Sequence, residues 1–350
     1  MRILSFLRRQ SAPIVCLIGA IFVSAPVAFG QPATDPSALK IPKPSGNLQI
    51  KFGETGTVGF GEIPMIMTAE RLSSQGWKVE SVRFAQTELA TEAAAKGDVQ
   101  FGGGAVFSAF LAIQKGAKLT LITEGQPNDW VLVAKKEIKN CGALKGRRLA
   151  IHSEGGTAPR MTTLWIERTC NAKPKRLVIS GSANRAIALM NDQIEVTHLQ
   201  LSDWIDVDSK QPGKFHLLAN FAEGLDLITG GITVNTDWLE KNRPIAVAYV
   251  AELLKTNRMI AASPNLLEEI AKKHLTAKTE AKTLKELVKA YMAIGGWAQN
   301  GGVTPKRVDE TIKFFTGGRG LKPGLKAEDV TRFDISDEAL KLIGKVPGKR

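Results

Sequence analysis

Three short stretches combine glycine with small or hydroxyl-bearing residues: Thr55-Gly56-Thr57, Gly103-Gly104-Ala105 and Gly155-Gly156-Thr157. Each follows an apolar, strand-like run and precedes a helix-like one. A turn of this kind aims backbone N–H groups and a helix N-terminus at whatever lies beyond the strand. Glycine lets the backbone approach closely, and threonine hydroxyls both donate and accept. That chemistry holds a polar solute; it does not by itself break a bond. Glycine also makes turns with no ligand in view, so the argument for binding rests on the Gly56 and Gly156 turns as a facing pair. Gln86, Thr87, Trp130, Glu154 and Asn184 complete the candidate contact set.

Other chemistries find less support. His152, His198, His216 and His274 form no His-Glu-x-x-His pattern and no spaced Cys/His cluster, so no metal is expected. No Gly-x-Ser-x-Gly nucleophile elbow and no Walker-type phosphate loop occurs. Gly102-Gly103-Gly104 fails the dinucleotide spacing because Phe107 takes the last glycine's place. Nothing calls for a cofactor. His152-Ser153-Glu154, at a strand end, is the one suggestive polar cluster, and it reads as structural or surface polarity. An enzyme acting on a small heteroaromatic or amine-bearing substrate is the alternative to a binding protein.

The elements that would position these turns alternate. Strands are predicted over 48–52, 77–84, 99–101 and 119–123, with helices between them over 63–72, 87–96 and 105–115. Gly97 is the natural stop of the second helix. A similar order recurs: strand 148–151, a helix face marked by Met161, Leu164 and Trp165, strand 175–179, helix 182–190 and strand 194–201. Two α/β units of related topology follow. Helices are expected from Trp238 to Phe315, two of them opening at Pro264 and Pro305.

The segment from Glu88 to Gly102, reading Glu-Leu-Ala-Thr-Glu-Ala-Ala-Ala-Lys-Gly-Asp-Val-Gln-Phe-Gly, and the following Ala112-Ile113-Gln114-Lys115-Gly116-Ala117 carry a family resemblance. So does Leu144-Lys145-Gly146-Arg147-Arg148-Leu149-Ala150-Ile151 with its glycine turn. In order and spacing they resemble the type II periplasmic solute-binding proteins of ABC importers. The likeness is to the branch for nitrate, taurine, alkanesulfonates and thiamine-pyrimidine precursors. One phrase departs from the family: its usual Gly-x-x-Asp-Ala is here Asn191-Asp192-Gln193-Ile194-Glu195. The resemblance implies a two-lobed α/β fold, with lobe one over 48–130 and 232–350 and lobe two over 131–231. Two hinge strands, near 130–133 and 229–233, would join the lobes. It also implies a small-molecule ligand, delivery to an ABC permease, and a monomer.

Carboxylates outnumber cations beside the expected cleft. Glu54, Glu62, Glu88, Glu124, Asp129 and Glu154 fall at strand ends, opposed by Arg160 and Arg185. A sulfonate or nitrate site would gather arginine instead. The excess therefore favours a neutral or amine-bearing ligand, heteroaromatic if Trp130 or Phe60 supplies a stacking face. Trp165 and Trp204 read as core.

Residues 1–30 carry a basic start (Arg2, Arg8, Arg9), an apolar run and Ala28-Phe29-Gly30, which predicts an export leader cleaved near Gly30 and a periplasmic protein. Residues 31–47, with four prolines, read as a tether. Removing the leader leaves Cys141 and Cys170, either a disulfide or two buried thiols. The formal charge of +13 falls by three to +10. Residues 31–240 hold 23 basic and 22 acidic groups, whereas 241–350 hold 21 and 12, so the excess sits in the C-terminal helices. That placement suits a solvated or membrane-facing back, and no nucleic-acid partner is expected.

Overall fold

The computed structural model describes residues 49–275 and 279–350; the expected leader over 1–30 and tether over 31–47 lie outside the described residues. In chain order the elements are β1 (Gln49–Thr55), α1 (Ile63–Ser74), β2 (Lys78–Phe84), α2 (Thr87–Lys96), β3 (Phe101–Ala105), α3 (Val106–Gln114), β4 (Leu119–Gln126) and β5 (Trp130–Lys135). Then come β6 (Arg148–Ile151), α4 (Thr157–Cys170), β7 (Lys175–Val178), α5 (Ser182–Met190), β8 (Val196–Gln200), α6 (Leu201–Lys210), β9 (Phe215–Asn220), α7 (Phe221–Gly224) and β10 (Gly230–Asn235). The remainder is helical: α8 (Thr236–Ala262), α9 (Asn265–His274), α10 (Ala281–Ala293), α11 (Pro305–Phe315), α12 (Ala327–Val330) and α13 (Phe333–Ile343). Among the described residues no helix is long and apolar enough to cross a membrane.

The strands form two five-stranded sheets, ordered β2-β1-β3-β10-β4 and β7-β6-β8-β5-β9. The first three strands of each are parallel, as βαβ connections require. The fourth is antiparallel to both its neighbours and is the strand by which the chain enters from the other sheet. The edge strand is the one by which it leaves. The two sheets thus share one topology, and each carries its parallel strand ends, with the glycine turns, toward the same side of the molecule.

The chain passes between the sheets at 127–129 and again at 221–229. Sequence reading placed paired hinge strands at 130–133 and 229–233. In the structure those apolar residues lie inside β5 and β10, each wholly within one sheet. Their runs of Val, Leu and Ile are buried because both faces of each sheet are covered. The connections lie outside both sheets, and the second buries Phe221, Leu227 and Ile228 in the core; the Asn128 side chain donates to the carbonyls of Phe221 (2.9 Å) and Leu225 (3.0 Å), tying one crossing to the other.

Burial follows the alternation of the strands. On β5, Leu132 and Ala134 face one apolar cluster with Leu149, Met161 and Phe315, while Val131 and Val133 face another with Ala186, Leu189 and Val207. The long α8 bends at Asn242, whose φ of −130° lies just before Pro244, where the ring removes a helical hydrogen bond. The C-terminal helices do not all pack on the first sheet, as the sequence reading expected. Helices α8 and α13 do, but α10 packs on α6, and α11 on α4. Leu284, Leu287 and Val288 of α10 therefore share a cluster with Val131 of the second sheet.

Cys141 and Cys170 are joined as a disulfide with Cα atoms 5.6 Å apart, tying the end of α4 to the turn before β6. The link spans 29 residues of sequence, a loop whose closure restricts the unfolded chain by about 3–4 kcal/mol in the chain-entropy view. Cys141→Ser with Cys170→Ser is expected to lower stability by about that amount, read from urea midpoints in oxidising buffer. An unchanged midpoint would show that the link adds nothing.

Candidate functional site

A cavity of about 90 Å³ lies where the two sheets face each other, lined by both halves of the molecule. Its walls are helix starts. Glu62 caps α1, Thr87 begins α2, Ala105 caps α3, Gly156 caps α4, Gly181 caps α5 and Gln200 caps α6, and all six line the cavity. The first backbone N–H groups of a helix have no partner within it, and each helix N-terminus carries roughly half a positive charge. The cavity is therefore donor-rich although no lysine or arginine is among its lining residues.

Of the sequence-derived contact set, Thr55, Gly56, Thr57, Thr87, Gly103, Gly104, Ala105, Trp130, Gly156 and Thr157 line this cavity together. Gly56 needs its type: its φ of +69° is a left-handed turn, which lets β1 end within reach of the opposite half. Four residues of the set fall elsewhere. Gln86 is exposed. Glu154 turns outward to pair with Arg176 at 3.1 Å. Gly155 donates its N–H to Glu88 Oε1 (2.5 Å) rather than to the cavity. Asn184 is exposed and donates to the Ser180 carbonyl, because it lies on the outer side of α5. The phrase 191–195 lies at the other end of α5, where Asp192 pairs with Lys135 and Lys214.

His152 is the contact that sequence reading set aside as structural. Its Nδ1 accepts the Gly181 N–H (2.9 Å), which leaves the proton on Nε2. That Nε2 is buried with no partner, on a residue that lines the cavity. Burial, with the Arg185 guanidinium adding repulsion, lowers its pKa to about 4, so the ring is neutral at ordinary pH. The rule that ligands sit at strand ends could have found His152, just past β6, and likewise Gln200, the last residue of β8. Ser182 is cavity-lining too; its hydroxyl already accepts the Gln200 N–H (2.9 Å).

The acidic rim dissolves on inspection of partners. Glu124 is buried against Arg307 (3.0 Å) and Arg350 (3.4 Å). Asp129 accepts from the Tyr291 hydroxyl (2.6 Å). Of the six carboxylates only Glu54 and Glu62 line the cavity, and Arg83 bridges them at 2.8 and 2.7 Å. Burial, then the Glu54 carboxylate, push Glu62 up to about 8 despite Arg83, so this pair brings little net charge. Neither arginine assigned to oppose them does so. Arg185 is fully buried, donating to the carbonyls of Ile179, Gly181 and His198 and so holding the floor of the second half. Arg160 reaches away from the cavity to the Gly317 carbonyl. Phe60 is no stacking face either: it is buried against Tyr291, ring centroids 4.8 Å apart. Trp130 is half-buried at the cavity wall, edge-on to His198 at 5.4 Å.

The halves already touch across the cavity: Phe107 donates its N–H to Thr157 Oγ1 at 3.0 Å, beside the Gly155–Glu88 bond. Among the described residues no group of three or more His, Cys, Asp or Glu is placed to hold a metal ion.

Two sheets of one topology, enclosing a cavity at the strand ends of both, define a periplasmic binding protein fold. The chain belongs to the NMT1/THI5-like family, whose model matches residues 72–266, more than half of its length. No curated protein matches it in sequence. Among solved structures it is similar to the ligand-binding component of an ABC-type import system from Staphylococcus aureus, solved with zinc bound. That pair has a TM-score of 0.68 at 17% identity, covering 83% of this chain and 99% of that one. It is also similar to the nitrate-binding protein NrtA from Synechocystis PCC 6803 (TM-score 0.59, 12% identity, 85% and 89% covered). A third is the alkanesulfonate-binding protein SsuA from Xanthomonas axonopodis pv. citri bound to MOPS (0.58, 16%, 69% and 83%).

The buried acids give the fold a pH dependence. Burial raises Asp129 from 3.8 to about 7 and Glu62 from 4.5 to about 8. The folded state then binds more protons than the unfolded one through that window, so stability falls as pH rises from about 5 to 8. His152, lowered from 6.5, acts oppositely and costs stability as pH falls from 6.5 toward 4. Asp129→Asn, which still accepts from Tyr291, is expected to flatten the decline above pH 5 in urea-midpoint profiles. A decline as steep as that of the unmodified chain would exclude Asp129 as its source.

Proposed function

We propose that this protein is the exported solute-binding receptor of an ABC-type importer, taking a small polar organic molecule between its two halves and passing it to a membrane permease. The halves are the two sheets with their helices, 49–126 with 230–350, and 130–220, pivoting at 127–129 and 221–229, a residue or two from the bounds 130/131 and 231/232 expected from the sequence. The observation that carries the reading is the convergence of six helix N-termini, from both halves, on one small cavity. A ligand that touches both halves favours their closed arrangement, which is what a receptor must signal to its permease.

The lining specifies the ligand's edges. Helix N-termini and the His152 Nε2–H ask for acceptors, such as ring nitrogens or carbonyl oxygens. Glu54 asks for a donor, such as an amine, and Trp130 offers an aromatic wall. With no cationic side chain in the lining, the best fit is a compact neutral molecule with a donor edge and an acceptor edge. The nitrate- and sulfonate-binding relatives support the receptor role more than either anion. Binding is the reading favoured over turnover, since the disulfide leaves neither Cys141 nor Cys170 as a free thiol nucleophile.

Native mass spectrometry of gently purified protein is expected to show one co-purified small molecule. Adding that molecule at a hundredfold excess over its Kd should stabilise the fold by about 2.7 kcal/mol. His152→Ala is expected to weaken binding about tenfold through the lost donor, whereas Asn184→Ala should leave affinity unchanged. Conversion of the molecule by purified protein would replace the receptor reading with an enzyme. A bound nitrate or sulfonate would keep the receptor and overturn the ligand class.

A further inference from the structure

Arg160 points to a second site. On the far side of α4 from the cavity, a recess of about 670 Å³ opens between that helix, the start of β7 and the turn 316–319 that follows α11. Arg160, Arg168, Lys173, Lys175, Arg176 and Arg319 all line it. Glu167 is the one carboxylate among the lining residues. Arg176 spends part of its charge on Glu154. Lys173, Lys175 and Arg319 make no ion pair among the described residues.

Two arginines are built into the wall. Arg160 is 8% exposed, and its Nη2 donates to the Gly317 carbonyl at 2.9 Å. Its Nε is buried with no partner at all. Arg168 lies over the Phe314 ring, 5.1 Å from the centroid, and donates to the Thr316 carbonyl at 3.3 Å. Both guanidinium groups are thus held at the recess by backbone and ring contacts, with Glu167 the one opposing carboxylate in the lining. Six cations gathered around one concavity repel each other, and an unpartnered buried guanidinium N–H is costly. Burial, partly offset by the Glu167 carboxylate and reinforced by Arg168 and Arg176, holds the Arg160 pKa below its usual value. A cluster of this kind is complementary to an anion with several oxygens.

We propose that this recess is a second binding site, independent of the solute cavity, for a phosphate group. Phosphate oxygens match the planar fork of arginine, and its near-double charge offsets part of the net +5 that the six cations and one acid lining the recess carry. The same chemistry is offered by a free phosphate or by the headgroup of an anionic phospholipid. One wall comes from the second sheet's α4 and β7 and the other from the turn after α11, so an occupant would bridge them.

The full chain is titrated with inorganic phosphate at low ionic strength, and in parallel floated with phosphatidylglycerol or phosphatidylcholine vesicles. Saturable phosphate binding with a rise in melting temperature identifies a free-anion site, and selective flotation with phosphatidylglycerol identifies a headgroup site. In either arm Lys175→Gln and Arg319→Gln, both exposed and unpaired, should each weaken binding about threefold to fivefold, and together about tenfold or more. The pair Lys345→Gln with Lys349→Gln, elsewhere on the surface, should not. Absence of binding in both arms overturns the proposal. So does binding that the recess variants leave intact, or that the distant pair weakens equally, since either shows diffuse charge.

Discussion

Every α-helix begins with N–H groups that its own turns cannot satisfy, and here six described helices begin at one place. That constraint organises the molecule. Both sheets run their parallel strands toward the opening, so each turn from a parallel strand into a helix arrives there with donors to spare. Some are met across the gap, as when Thr157 accepts from Phe107 and Glu88 from Gly155. The Glu54 and Glu62 carboxylates stand beside these helix ends, bridged by Arg83. What remains unmet is the binding capacity of the cavity. The site is thus less an addition to the fold than the place where two copies of one topology leave their backbone incomplete.

The parts of this arrangement visible in the amino-acid sequence are those set locally. A strand, a glycine turn and a helix are neighbours in the chain, so the period-two and period-3.6 patterns around Gly56, Gly103 and Gly156 located the cavity wall from both halves. Gly97, with φ of +82°, ends α2 as its type requires. The parts not visible depend on distant partners. Glu124 looks like a rim acid until Arg307, far along the chain, is folded beside it. Arg83 sits in the middle of a strand pattern and gives no hint that it will bridge Glu54 and Glu62. His152 stands at the right strand end, but its importance comes from Gly181 fixing its tautomer, a contact made 29 residues on.

The same distinction explains the charge. Counting placed the basic excess in the C-terminal helices, and part of it does lie there, yet charge matters where it is uncompensated. Arg243 and Arg332 share Asp334, Glu240 and Glu338. Arg307 is absorbed by Glu124 and Asp226. The recess beside α4 is the opposite case: residues 31–240 are nearly neutral in sum, but Arg160, Arg168, Lys173, Lys175 and Arg176 fall within 17 positions and fold around one hollow. Net charge by segment hides such a site because it averages over a length of chain that the fold does not respect.

The apolar interior adds a constraint on motion. Two of its clusters run through both halves: Leu121 of β4 shares one with Leu132 of β5, and Phe60 and Ile63 share another with Val131 and Val133. Halves that share a core cannot separate as free rigid bodies without exposing apolar side chains, which costs about 25 cal/mol for each Å² uncovered. Helices α10 and α11, which pack on α6 and α4, are the elements such a motion would have to carry or slide. The crossings at 127–129 and 221–229 are clipped together by Asn128, and the second is itself anchored in the core through Phe221, Leu227 and Ile228. An opening that pivots on those crossings has to break the two hydrogen bonds across the cavity and keep Phe221, Leu227 and Ile228 in the core. A compact solute touching both halves shifts that balance only by its differential affinity for the closed state.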